Sequence, residues 1–372
     1  MQAQVDVAVI GAGQCGLAVG RQLKMRNSDF VLIDRCARVG DSWRRFMDSL
    51  RLVTPAGVSA LTGLAFPAPA RAFPGKLELA DYLENYADAF SLPCELNVEV
   101  RRVRTIDGRF TIDLSPTGSD KGGHEEQSLV ANSVVVATGF LHELRIPNFA
   151  EELDPTINQL TMSDYLAPDQ VSGPVLVVGA GNSGVQIAHD LAPAHEVWLS
   201  GPNPGHFLFD LSNPTLWNIA HRLFTPRNPV GRRFIAMIQR KEPPVIKISE
   251  KRLRQMGVIR LPKVSGTENG YPVLADGHTV RPATLVWSTG FRSDFSWIHL
   301  PVFDAVTGLP RHTRGITEIE GLYFMGLPFQ YGFTSHFIRG VDRDAANIVE
   351  HLAHHRLANA ETTLSDRSDH PQ

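Results

Sequence analysis

The sequence predicts an α/β protein built from two nested Rossmann-like dinucleotide-binding domains, each carrying a small β-meander. Three observations lead there. A strand–glycine loop–helix–strand unit opens the chain, a second copy starts near residue 175, and a Thr-Gly-Phe triplet follows each copy at a comparable distance. A length of 372 residues is enough for two or three domains with proper cores.

Taken in order, residues 5–10 are short, β-branched and apolar, as strands buried in a parallel sheet are. Gly11-Ala12-Gly13-Gln14-Cys15-Gly16 follows, then a helical stretch over residues 17–25 and a strand over residues 30–34. The second unit repeats this with a strand at residues 175–178 and the loop Gly179-Ala180-Gly181-Asn182-Ser183-Gly184. A helix over 185–191 and a strand over 196–200 complete it. Residues 98–115 and 127–137 alternate as strands about a charged turn at 118–126 and lead into Thr138-Gly139-Phe140. Residues 258–288 repeat the pattern, with Asn269-Gly270 as a hairpin signal, and lead into Thr289-Gly290-Phe291. The expected division is residues 1–160 with 292–357 as the first domain, 161–291 as the second domain inserted in it, and 358–372 as a disordered polar tail.

In G-x-G-x-x-G the first glycine makes the tight turn, the second admits a pyrophosphate and the third allows close helix–strand packing. The helix start then offers unpaired N–H groups to the phosphates. One such loop is a weak signal; the strand before and the helix after are present twice here. Asp34, with Arg35 beside it, ends the next strand about 20 residues on, where a carboxylate binds ribose hydroxyls. The second copy has Ser200-Gly201-Pro202 at that place. Loss of the acid admits a phosphorylated ribose, which leans towards NADPH, with NADH still open. No arginine stands at 200–205; His206 is nearest, and Arg222 or Lys241 would have to fold back.

Further motifs resemble the flavin-containing monooxygenases, most closely the bacterial relatives of the plant auxin-forming flavin monooxygenases. They are Gly40-Asp41-Ser42-Trp43, the run from Asp48 to Pro55, Leu64-Ala65-Phe66-Pro67, Phe73-Pro74, the stretch from Tyr82 to Ala87, both Thr-Gly-Phe triplets and the stretch from Gly321 to Gly326. The resemblance covers residues 5–353 and implies the glutathione-reductase/flavin-monooxygenase type of fold. It implies FAD on the first loop and NADPH or NADH on the second. Reduced flavin would meet O2, form a C4a-(hydro)peroxyflavin and pass one oxygen atom to a small or medium organic substrate. By motif position, Trp43, Asp48 and Thr54 would line the flavin as catalytic surroundings. Val100 would meet the adenine end through its backbone, and Thr138-Gly139 would close over the diphosphate. Thr289-Gly290 is the counterpart on the nicotinamide side. The segment 330–337 would bring N–H groups to the pyrimidine edge of the flavin. The family's linker signature, F-x-G-x-x-x-H, falls on Pro155, Ile157 and Thr161, so its histidine is absent. That departure opens a second reading, an NAD(P)H-dependent flavoprotein reductase or oxidase that makes hydrogen peroxide without an oxygenated product.

Composition excludes several other classes. With 36 Lys+Arg against 39 Asp+Glu, a net charge of -3 gives no bulk attraction to nucleic acid. Cys15, Cys36 and Cys94 contain no C-x-x-C pair and form no disulfide framework. The absence of a basic leader and of any apolar run long enough for a bilayer makes cytoplasmic the expected location. A homodimer is left open. Residues 203–263 hold twelve Lys/Arg and three acids, an expected helical insert capping the nicotinamide domain. His351, His354 and His355 sit in one helical stretch with no acid or cysteine cluster, so no metal site is expected.

Overall fold

The computed structural model describes residues 3–117, 127–205, 211–240, 245 and 248–368. The expected turn at 118–126 lies outside the described residues, as do His206 and Lys241.

The first sheet begins with β1 (Ala3–Ile10), β2 (Phe30–Asp34) and β3 (Cys94–Leu96). The strands β4 (Val98–Ile106), β5 (Arg109–Pro116) and β6 (Gln127–Val136) form its meander, and the order is β3-β2-β1-β6-β5-β4. α1 (Gln14–Met25), the single turn α2 (Asp41–Arg44) and α3 (Lys76–Ala89) lie between these strands in the chain. After β7 (Glu143–Leu144) the chain enters a second sheet with β8 (Asn158–Thr161), β9 (Val175–Val178), α4 (Asn182–Leu191) and β10 (Val197–Ser200). α5 (Pro214–Leu223), α6 (Pro229–Arg240) and α7 (Glu250–Gln255) precede β11 (Ile259–Leu261), the hairpin β12 (Val264–Glu268) and β13 (Tyr271–Leu274), and β14 (Thr284–Trp287). This sheet runs β11-β10-β9-β14-β8 and is parallel throughout. β15 (Phe291–Arg292) follows, and β16 (Leu322–Phe324) then returns to the first sheet alongside β6, ahead of the long helix α8 (Ile338–Ser368). One dinucleotide fold therefore interrupts the other.

Burial explains the strand patterns. Val7, Ala8 and Val9, and likewise Val175, Leu176 and Val177, are fully buried because helices or meanders cover both sheet faces. On one face of the first sheet α1, α3 and α8 pack through Leu17, Leu83 and Val341; on the other, Phe110, Phe295 and Phe324 fill the space under the meander.

Four expectations are corrected. The helices after both loops start three residues early, at Gln14 and Asn182, because Gly13 and Gly181 act as N-caps. The second meander is only the hairpin β12–β13, turned by Asn269 (φ 50) and Gly270 (φ 81), in a sheet of its own. β8 pairs along its whole length with β14, so residues 158–160 stand in the second sheet although the expected division gave them to the first. Finally, α8 continues to Ser368, through a stretch free of Gly and Pro where a disordered tail was expected.

Candidate functional site: two glycine loops and the seam between them

Both loops have the same construction. Gly11 and Gly179 turn the chain at φ +104 and +111, where a Cβ would lie 2.8 Å from the Ala137 carbonyl oxygen and 2.0 Å from that of Ser288. Gly16 and Gly184 sit against the first turn so closely that a Cβ on either would stand 1.8 Å from the Gly11 or Gly179 carbonyl oxygen. At Gly13 and Gly181, by contrast, a Cβ would meet nothing within 4 Å. The first and third glycines therefore serve the fold, while the second faces open space. Neither helix has a side-chain cap at its start. Backbone N–H groups and the positive end of each helix dipole thus face a space left clear on the loop, an arrangement that fits a dinucleotide pyrophosphate. Gly139 (φ +81) and Gly290 (φ +84), after the last strand of each unit, have equally clear surroundings.

The loops part company at the end of the next strand. Asp34 Oδ2 accepts the Ala12 N–H at 2.7 Å and Oδ1 accepts the Cys36 N–H at 2.8 Å. Its carboxylate braces the loop and still has lone pairs for a ribose hydroxyl. Ser200 does not fill the same role. Gly11 N donates to Ile33 O at 2.7 Å and Gly179 N to Ser200 O at 2.9 Å, so Ser200 matches Ile33 and Gly201 matches Asp34. Ser200 is fully buried; its hydroxyl donates to Pro262 O at 2.7 Å and accepts from Val264 N at 3.0 Å. That removes it from the candidate nucleotide residues. A strand-end serine reads alike in sequence whichever way it points. At Gly201 (φ +132) a Cβ would lie 3.3 Å from Ala180 N, where Asp34 reaches its own loop.

Sequence reasoning missed Arg260. β11 carries it to the second loop, where Nη2 donates to Gly201 O at 3.1 Å and Nε stands 3.8 Å from Glu250. Ala180, Asn203, Gly205 and Arg260 line one small pocket there. The pairing of β10 with β11 was the missing information, since 59 residues separate Arg260 from Gly201.

The remaining candidates divide. Trp43 Nε1 donates to Gln14 Oε1 at 3.3 Å and so is tied to the first loop. Asp48 instead pairs with the nearly buried Lys76 at 2.6 Å, and its N–H donates to Leu166 O on the linker. Thr54 is buried on Ser59, with 2.9 Å between hydroxyls. Neither is bonded to a glycine loop. Val100 lies at an irregularity of β4, whose register shifts between Val100 and Arg102. Cys15 is buried beneath Gly326; burial pushes its thiol up to about 12, and those of Cys36 and Cys94 to about 11. Such thiols are inert at neutral pH.

A seam joins the halves. β7 pairs antiparallel with β15 just after the two Thr-Gly-Phe triplets, Arg145 N donates to Gly290 O at 2.9 Å, and Thr289 Oγ1 donates to Arg145 O. The insert covers both halves: Val245, Leu253 and Val258 pack on the nicotinamide half as expected, while α5 reaches across to the first half. Trp217 of α5 is buried against Val58, Phe333 and Phe337 of the first half, making an aromatic layer beside residues 329–337. Within that layer His336 packs against Phe337, Phe140 and Phe329; its Nδ1 has no partner, and burial holds it neutral down to about 4. In the linker, Thr161 closes a turn on Asp164 and Ile157 is buried. Among the described residues no group of three metal-ligating side chains forms, and no helix is long and apolar enough to cross a membrane.

Two dinucleotide loops on nested sheets define a two-nucleotide oxidoreductase. The comparisons agree. Residues 8–204 match the model of the pyridine nucleotide-disulphide oxidoreductase family. The chain belongs to that family; it is an enzyme, a flavin-dependent oxidoreductase. It is 38% identical to an uncharacterized CzcO-like oxidoreductase of Geobacillus kaustophilus, over 95% of this chain and all of that one. It is 28% identical to the probable indole-3-pyruvate monooxygenase YUCCA7 of Arabidopsis thaliana, over 93% of this chain and 86% of that one. In fold it resembles a flavin-containing monooxygenase from Stenotrophomonas maltophilia, with a TM-score of 0.76, 24% identity and coverage of 95% and 99%. The bacillithiol disulfide reductase Bdr of Bacillus cereus follows at 0.66, with 18% identity and coverage of 94% and 99%.

Proposed function

We propose that the chain is an FAD-dependent monooxygenase that uses NADPH, or less effectively NADH, and O2 to add one oxygen atom to a small or medium organic substrate. The observation that carries this is the pair of loops whose central glycines, Gly13 and Gly181, face clear space while their neighbours are locked by close packing. Gly11–Gly16, Asp34 and Thr138-Gly139 would hold FAD. Gly179–Gly184, Thr289-Gly290 and Arg260 would hold the nicotinamide nucleotide. When bound, FAD would take a hydride from the nucleotide and react with O2, chemistry the protein itself lacks.

The chain's own residues bind, orient and shield. Asp34 fixes the loop conformation through Ala12 N–H and leaves acceptor sites for a ribose. Trp43 and Gln14 brace the start of α1. The aromatic layer of Trp217, Phe333 and Phe337 excludes water beside residues 329–337, which favours oxygen transfer over loss to peroxide. Arg260 gives the second loop the cation that Asp34 denies the first, favouring a 2'-phosphate.

The absent linker histidine supports the second reading, an oxidase or reductase. High thiol pKa values at all three cysteines speak against disulfide reduction on this chain. Stoichiometry separates the readings. With a true substrate, monooxygenase action consumes NADPH and O2 one for one and leaves little hydrogen peroxide. NADPH recovered entirely as peroxide with every substrate tried would establish the oxidase instead.

A further inference from the structure

Where the helical insert meets the first half, guanidinium groups gather that neither nucleotide loop uses. Arg343 stands 3.9 Å from the centre of the Tyr331 ring, Arg314 4.4 Å and Arg227 5.2 Å. They come from three places: the turn between α5 and α6, the loop ahead of β16, and α8. Each contact with the ring is favourable alone, but three like charges around one ring repel one another. Asp344 is the near carboxylate, with Oδ1 3.5 Å from Arg343 Nε, and no other acid among the described residues pairs with these three arginines.

Two donors have nowhere to go. Arg314 Nε and Arg343 Nη2 are buried without hydrogen-bond partners. Arg343 Nη1 is spent on His221 O at 3.1 Å and Nε faces Asp344, so the guanidinium is held in place with only Nη2 unused. A solvated arginine face accounts for the exposed Arg227 but not for buried, unpaired N–H groups, each of which costs stability.

We propose that Arg227, Arg314 and Arg343, with the Tyr331 ring as floor, bind an oxyanion, a carboxylate or a phosphate group, that ties the insert to the first half. Guanidinium edges match both anions through paired charge-assisted hydrogen bonds. The anion neutralises the mutual repulsion and accepts from the unpaired donors. Because Arg227 belongs to the insert while Arg314 and Arg343 do not, occupancy would hold the aromatic layer closed. The site involves neither glycine loop, so it stands or falls apart from the FAD assignment.

Thermal shift and calorimetry with inorganic phosphate and with acetate, at ionic strength held constant by KCl, test it on the full chain. Saturable binding is expected, weakened at least tenfold by Arg227→Gln and by Arg314→Gln and unchanged by Arg254→Gln on α7. The glycine loops also attract phosphate, and a loss specific to the first two variants separates the sites. Binding of phosphate alone assigns a phosphate-bearing ligand; binding of acetate as well assigns a carboxylate. Amide exchange over residues 214–223 should slow with the anion in the wild type but not in Arg314→Gln. A response that does not saturate, or that is equal in all variants, overturns the proposal.

Discussion

The two glycine loops are the same device set to different tasks. Both lock their first and third glycines against backbone and leave the second facing open space. They differ one strand later, where Asp34 anchors the first loop while Gly201 and the Arg260 guanidinium stand at the second. A carboxylate suits ribose hydroxyls and repels an extra phosphate; a guanidinium does the reverse. In the proposed assignment, the shared part of the design would hold a dinucleotide and the part that differs would select which one.

Substitutions can break the comparison at each level. The largest effect is expected from Gly16→Ala or Gly184→Ala. A methyl group 1.8 Å from a carbonyl oxygen cannot be accommodated without moving the loop, so either variant should lose soluble, cooperatively unfolding protein. Circular dichroism melts of the purified variants check this. Asp34→Ala removes the acceptor for two backbone N–H groups and should cost about 3 kcal/mol, read from urea unfolding, together with FAD affinity. Arg260→Ala should raise KM for NADPH about 10- to 100-fold, the worth of one charge-assisted contact, and change KM for NADH less than about threefold. Equal effects on both nucleotides would remove Arg260 from the specificity argument.

The smallest effect concerns acid. His221 and His336 are held near 4 in the folded chain, below their ordinary value of 6.5, chiefly by burial. The unfolded chain therefore takes up protons first as pH falls. Their contribution is complete above about pH 6.5, declines towards about pH 4 and is level below that. His221→Gln should flatten that part of the stability profile in pH-dependent melts; an unchanged slope would show that other groups carry it.

Much of this was legible in the sequence because it depends on neighbours in the chain. The loops, the strands before them and the nesting all follow from local patterns such as Val175–Val178 before Gly179. What escaped depends on pairing across the fold. Ser200 reads as a strand-end polar residue, and only the register of β9 with β10 shows that it faces inward. Arg260 reaches the loop because β11 lies beside β10. The insert's apolar residues, Trp217 among them, signalled a buried face without saying which half covers it. Asp48 and Thr54 were placed by resemblance, and their hydrogen bonds lead to Lys76 and Ser59 instead.

In the proposed enzyme the first loop holds FAD and the second the nicotinamide nucleotide. Flavin content and anaerobic bleaching by NADPH, measured side by side in Gly13→Ala and Gly181→Ala, test that most directly. Neither added methyl meets protein, so both variants should fold. Gly13→Ala is predicted to purify colourless. Gly181→Ala should stay yellow and be bleached by dithionite but not by NADPH at concentrations that bleach the wild type. Full flavin in Gly13→Ala, or flavin lost equally from both, would contradict the assignment.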